Sequence, residues 1–302
     1  MRITDRMIAQ SALLNTEANL QAMSVTQDQI GSGKQLLKPS DDPTAVVSSI
    51  QTSDALAQIN QYLRNIDVAT NLTSAADSAL SDAGTVMQRA NELAIEAANG
   101  TLTASDRQAV ETEVDQLTAQ LVADANTRTG DTYLFSGTGS VAPYAYTPAA
   151  QSVGAWAAAG LVGAYQGDSN PVWARISPGV AVQINVTGDA VSFGPALKAL
   201  TELQSDLVAG NAPSGAALQD IQSGLNQLTF ARARVGAAAN RLQQTQTNLQ
   251  NQQTAVTQLL SSLDDVDMAA AISQLQQQQL TYNAALQVTG KILQTSLIDV
   301  LK

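Results

Sequence analysis

Asp264, Asp265 and Asp267 crowd three carboxylates into one short stretch, the raw material of a calcium loop. The stretch lacks the internal glycine and the terminal glutamate that such a loop requires. The same residues read better as N-caps, with negative charge favoured in the first turn of a following helix. Asp41 and Asp42 read the same way, because Pro43 follows and proline suits the first helical position. Phosphate chemistry finds no footing. Gly31-Ser32-Gly33 and Gly137-Thr138-Gly139 lack the third glycine of a dinucleotide loop, and Gly33-Lys34 and Gly290-Lys291 lack the spacing of a nucleotide-binding loop. No serine sits in a Gly-x-Ser-x-Gly elbow. Arg232 and Arg234, beside Phe230, offer charge to an anion, but acidic side chains of neighbouring helices are the simpler partners.

The chain has no histidine and no cysteine. That removes the commonest general base near neutral pH, imidazole and thiolate metal ligands, thiol nucleophiles and disulfides. No catalytic residue, cofactor site or metal site is therefore assigned. The net charge of −11 disfavours nucleic acid and anionic membrane surfaces. No stretch approaches the ~18 apolar residues of a membrane span, so membrane insertion is not expected. Arg2, Asp5, Arg6 and Glu17 interrupt any signal-peptide core near the start.

The elements that must carry the remaining residues are helices. In 302 residues, 44% are hydrophobic but only 4% aromatic, a balance that suits long, closely packed helices. Residues 1 to about 135 and 195–302 have helical character. The segment between them gathers Gly, Pro, Tyr and Trp, and Val180, Val182, Ile184 and Val186 share one parity there, so Val180–Thr187 reads as a half-buried strand. Val172–Ile176 is a second candidate strand and Thr132–Ser136 a third. The fold class is mainly α: N- and C-terminal arms forming a long coiled coil and bundle, with a small β-rich insert.

Met268, Ile272, Leu275, Tyr282, Leu286, Leu293, Leu297 and Val300 follow four-three spacing, with polar Gln279 and Thr289 at two further positions of the pattern. A helix starts near Met268, within reach of the Asp264–Asp267 caps. In the N-terminal arm, Ile3, Met7, Leu14, Ala18 and Val25 lie at helical spacing until Gly31-Ser32-Gly33. A second helix runs from about Asp42 to Asn99, ending in a left-handed cap at Gly100, and Thr103 caps a third to about Asn126. Gln276 to Gln279 is either a solvated face or a polar seam between chains. Neither terminal stripe can be buried by its own helix. Each must pack on the other arm, on further copies, or on both.

Three groups of residues together resemble the flagellin family. Gln88-Arg89, Glu92-Leu93-Ala94 and Ala98-Asn99-Gly100-Thr101 are similar to its core-domain motif. Gly31-Ser32-Gly33-Lys34 followed by Pro39-Ser40-Asp41-Asp42-Pro43 resembles its N-terminal turn. Asp265 to Ala269 and Ala284 to Leu301 resemble its C-terminal signature. The proline pair around Asp41-Asp42, the Tyr133-Leu134-Phe135-Ser136-Gly137 stretch and the ending Ser296 to Lys302 resemble the members that join hook to filament, with filament flagellin as the alternative.

The resemblance implies a structural subunit of the bacterial flagellum and no enzyme. It implies three domains: residues 1–38 with 268–302 as a terminal coiled coil, 39–139 with 195–267 as a helical-bundle core, and 140–194 as a β-rich outer domain. Its partners would be copies of itself, a neighbouring hook-associated protein, flagellin and an export chaperone. Its place would be extracellular, at the hook–filament junction, reached by type III export without a cleaved signal. A rival of another class is a glycan site on the insert, built on Trp156 and Trp173.

Overall fold

Side-chain caps set the helix starts. In the computed structural model, which describes residues 5–99, 102–144, 165–189 and 192–300, with side chains at 7, 10–99, 102–144, 165–189 and 192–291, six helices stand out among the described residues. They are α1 (Asp5–Ser32), α2 (Pro43–Ala98), α3 (Ala104–Ala125), α4 (Phe193–Val208), α5 (Gly215–Asp264) and α6 (Met268–Val300). Asp42 Oδ1 accepts from the N–H groups of Thr44 and Ala45, each at 3.0 Å, and Pro43 opens α2. Those bonds, that of Ala45 foremost, hold the Asp42 carboxyl below the usual range. Thr103 and Asp106 form a reciprocal capping box on α3, and Asp267 Oδ1 accepts from Ala269 N (2.9 Å) and Ala270 N (3.1 Å) at the start of α6. The expected left-handed cap at Gly100 lies outside the described residues.

The chain divides into two compact units: Met1–Gln58 with Gln252–Lys302, and Ile59–Asn251. The boundaries fall inside α2 and α5.

In the first unit α1 packs against α6. The turns that leave α1 and enter α6 are joined: Gln35 N–H donates to Asp264 O (2.7 Å) and Val266 N–H to Gly33 O (3.0 Å). The stretches of α2 and α5 in this unit contain no fully buried residue, whereas burial in α2 begins at Ile59 and in α5 ends at Leu249.

In the second unit the core is helical. Small side chains on the inner face of α2, among them Ala76, Ala83, Ala90 and Ala94, let other helices approach, and Leu80, Met87 and Leu93 fill the space between. α3 packs against α4, which brings Leu197, Leu200 and Leu203 inward. Gly224 of α5 lies where a Cβ would come within 2.8 Å of Ala196 Cα, so a glycine is required for α4 and α5 to meet there.

Two antiparallel hairpins complete the described residues of this unit: β1 (Arg128–Thr129) with β2 (Thr132–Tyr133), and β3 (Trp173–Ser177) with β4 (Val180–Gln183). Both strands are shorter than their sequence patterns. The expected strand Thr132–Ser136 stops at Tyr133, because the chain turns in at Leu134 and Phe135; Phe135 is buried edge-on to Phe193 at 4.8 Å, and Gly137 (φ +75°) completes the turn. The expected strand Val180–Thr187 stops at Gln183. Its parity persists, with Val182 and Val186 buried; Ile184 N–H still donates to Val172 O (3.0 Å), and beyond it the Asn185 side chain replaces the ladder by accepting from Val172 N (2.8 Å) and donating to Asn170 O (3.0 Å).

Candidate assembly surfaces

The side chains of α1 and α6 sort into an inner seam and an outer set. On α1 the partly or fully covered positions are Ala12, Thr16, Asn19, Met23, Thr26 and Ile30, with Gln29, which bonds to the turn after the helix, beside the last of them. On α6 they are Ala271, Leu275, Gln278, Tyr282, Ala285 and Thr289. Both sets repeat at four-three spacing, the signature of two helices in lengthwise contact. Small side chains let the helices lie close, and Thr26 and Thr289 are buried. Thr16 and Thr26 turn their hydroxyls to the carbonyls of Ala12 and Ala22 in their own helix, which leaves their methyls for the seam.

The stripe expected from sequence is only partly this seam. Leu275 and Tyr282 belong to it, as does Thr289. Met7, Leu14, Met268, Ile272 and Leu286 are exposed, Leu14 to 58% and Leu286 to 45%. Ala18 and Val25 are exposed too. Gln279, expected at a seam position, faces outward, and Gln278 takes the inner place. The inner face is set largely by small residues, which an apolar count passes over, so the expected stripe divides between the seam and the outside. Ile3 lies outside the described residues, as do the side chains of Leu293, Leu297 and Val300. Leu280 (72% exposed) and Val288 (56%) extend the outer apolar set. Large apolar side chains on both helices are thus left facing outward.

The three carboxylates of the α5–α6 turn have separate partners. Asp264 accepts from Lys34 Nζ at 2.7 Å, Asp265 accepts from Ser261 Oγ, and Asp267 caps α6. The bond and charge of Asp264 raise the Lys34 ammonium above its ordinary value. Among the described residues no three acidic side chains stand where they could hold a metal ion. No helix among them is long and apolar enough to cross a membrane.

In the second unit the core-domain motif splits by role. Leu93 is buried in the core. Arg89 joins α2 to α3, donating to Glu113 at 2.7 Å and to Glu92 at 3.0 Å; both raise its already high proton affinity. Gln88 is exposed and borders a groove of about 170 Å³ between α2 and α5, floored by Leu80, Leu225 and Leu228. Gly84 lies in the same groove, where a Cβ would meet nothing within 4 Å. Asn99 is exposed past the end of α2, and Gly100 lies outside the described residues. Arg232 pairs with Asp77 through two bonds, of 2.9 and 3.3 Å, the acidic partner on a neighbouring helix that its setting led us to expect; Arg234 is exposed.

The described part of the insert is held by polar closures. Asp168 accepts from Thr138 N (2.8 Å), Thr138 Oγ1 (2.6 Å) and Asn170 N (3.0 Å), and these bonds, with Thr138 first, hold its carboxyl down at about 2. Tyr165 donates to Phe135 O and Asp168 O, and burial pushes its phenol up to about 12. Tyr144 donates to Gly188 O, and burial raises its phenol further. Of the two tryptophans of the glycan reading, Trp173 is exposed on β3 and Trp156 lies outside the described residues.

Known proteins place these surfaces in a family. The bacterial flagellin N-terminal helical region matches residues 3–140, and the C-terminal helical region matches 218–301. Flagellar hook-associated protein 3 of Escherichia coli is 30% identical over 275 residues, which cover 85% of this chain and 86% of that one. A flagellin of Bacillus subtilis is 27% identical, covering 91% of this chain and 90% of its own. The crystal structure of Bacillus cereus FlgL shares the fold with a TM-score of 0.59 at 22% identity, covering 70% of this chain and 99% of that chain. Paired terminal helices, matched end regions and identity along most of the length agree: the chain belongs to the flagellin family.

Proposed function

We propose that this chain is a structural subunit of the bacterial flagellum that joins the hook to the filament, and that it performs no catalysis. The observation that carries the reading is the 30% identity with Escherichia coli hook-associated protein 3 across 85% of the chain. The exposed apolar side chains of α1 and α6 support it, since Leu14, Ile272 and Leu286 lie on helices whose seam is already occupied. Covering them requires further copies of the chain, a neighbouring hook-associated protein or flagellin.

The mechanism is mechanical. Residues 1–38 and 268–302 act as the terminal domain that makes subunit-to-subunit contacts. Residues 39–139 and 195–267 form the load-bearing bundle, and 140–194 contribute the outer surface. Long helices transmit torque because load spreads along many packed contacts and backbone bonds. Delivery outside the cell follows type III export without a cleaved signal, with a chaperone covering the apolar set until assembly.

Deletion of the gene in its own host tests the reading. A junction subunit leaves hooks intact and filament protein free in the medium, and the restored gene recovers filaments. A filament flagellin leaves hooks bare with no such release, an outcome that would favour the likeness to the Bacillus subtilis protein.

A further inference from the structure

We infer that the turn-to-turn clasp, Gly33–Gln35 against Asp264–Val266, fixes the register in which α1 lies against α6. The seam itself is poorly suited to that task. Most of its positions are Ala, Thr, Asn or Gln, and its larger side chains recur one heptad apart, Met23 with Ile30 and Leu275 with Tyr282, so a slide of one heptad still sets much of the seam like on like. A buried amide sets register when it finds a partner across the seam. Gln278 Oε1 is buried with no hydrogen-bond partner, and Thr16 and Thr26 bond only within their own helix.

The clasp has the specificity that the seam lacks. Lys34 and Asp265 form an antiparallel bridge, flanked by the bonds from Gln35 N to Asp264 O (2.7 Å) and from Val266 N to Gly33 O (3.0 Å). These can form in one alignment only. Lys34 Nζ adds the 2.7 Å contact with Asp264, whose side chain is 16% exposed. Gly33 reaches the geometry with φ +73°, which other residues adopt at a cost. The clasp is tied to both helices. Gln29, in the last turn of α1, donates through Nε2 to Gln35 O at 2.9 Å, and Asp267, the residue after Val266, caps α6. Setting the two turns therefore sets how far along each helix the seam begins.

Cysteine cross-linking tests this directly, because the full-length chain has no cysteine of its own. Ala12→Cys is combined in turn with Gln278→Cys, Tyr282→Cys, Ala285→Cys and Thr289→Cys, and the yield of intramolecular disulfide is measured for each. With the clasp intact, one partner or two adjacent ones should dominate severalfold. Lys34→Glu sets like charge against Asp264 and Asp265 and should spread the yield over partners a heptad apart. Adding Asp264→Lys restores opposite charge and should restore the dominant partner. An unchanged single-partner pattern in Lys34→Glu overturns the inference. Loss of every cross-link also overturns it, because the clasp would then supply pairing itself and not its register.

Discussion

Two glycines inside long helices make opposite predictions when each is replaced by alanine. Gly224 meets α4 so closely that an added Cβ would lie 2.8 Å from Ala196 Cα and 3.1 Å from Ala196 N, with Met87 Cε at 3.2 Å. The methionine end can move, but the backbone of α4 cannot move without disturbing Leu197 and Leu200, which are fully buried. Because the clash is with backbone at under 3.0 Å, overpacking falls in the upper part of its usual range, about 2–3 kcal/mol, against which alanine's helix propensity returns about 1 kcal/mol. Gly224→Ala should thus destabilise by roughly 1–2 kcal/mol, or ~2–8 °C in melting temperature for a unit of this size. Gly84 faces open space, so Gly84→Ala should keep the propensity gain and stabilise by about 0.5–1 kcal/mol, a rise of ~1–4 °C. Thermal melting of purified chain, followed by circular dichroism, reads both. A Gly224→Ala variant as stable as the parent, or a Gly84→Ala variant that is less stable, would refute the packing argument. If Gly84→Ala gains stability yet loses motility, the groove beside Gln88 serves assembly.

Leu286 is 45% exposed, so covering the remainder in an assembly contributes roughly 1 kcal/mol per subunit, whereas burying an unpaired carboxylate there costs several. Leu286→Asp should leave monomer melting almost unchanged and abolish filaments by electron microscopy, while Leu286→Met should be motile; normal filaments from the Asp variant would contradict a packing role. The Asp124 carboxyl is pushed up to about 6, first by burial and then by the nearby Asp82 carboxylate, and its Oδ2 has no partner. Because the folded chain holds this proton more tightly than the unfolded one, the penalty is absent below about pH 4 and grows as the pH rises through about 6. Asp124→Asn should accordingly stabilise by roughly 1–2 kcal/mol at pH 7, after allowing for partial exposure, with the gain fading towards pH 4 in melts across that range.

The helices were legible because their ends are written locally. Asp42-Pro43, Thr103 with Asp106, and Asp267 each announce a start through side-chain chemistry that needs no tertiary partner. The α1–α6 seam was half legible. Its four-three rhythm is present in the sequence, but rhythm counted on large apolar residues finds only Leu275 and Tyr282 of the described seam and otherwise selects the outer set. Ala12, Thr16, Ala285 and Thr289 become seam positions only through the closeness of a second helix, although a search for small residues at the same spacing would have found them. The requirement for glycine at Gly224 comes from Ala196, distant in sequence, and the pairing of Lys34 with Asp264 spans most of the chain. Neither leaves a local trace. The strand patterns run past the strands themselves: at Leu134 to Ser136 the chain turns inward and bonds to other backbone, and from Asn185 to Thr187 parity persists where the Asn185 side chain has taken over the hydrogen bonding.

Immunogold labelling of intact cells, with an antibody to this chain, decides most directly whether it joins hook to filament. A junction subunit gives a single focus of gold at the distal end of each hook, with the filament beyond it unlabelled. Gold along the whole filament would contradict that role and make the chain a filament flagellin.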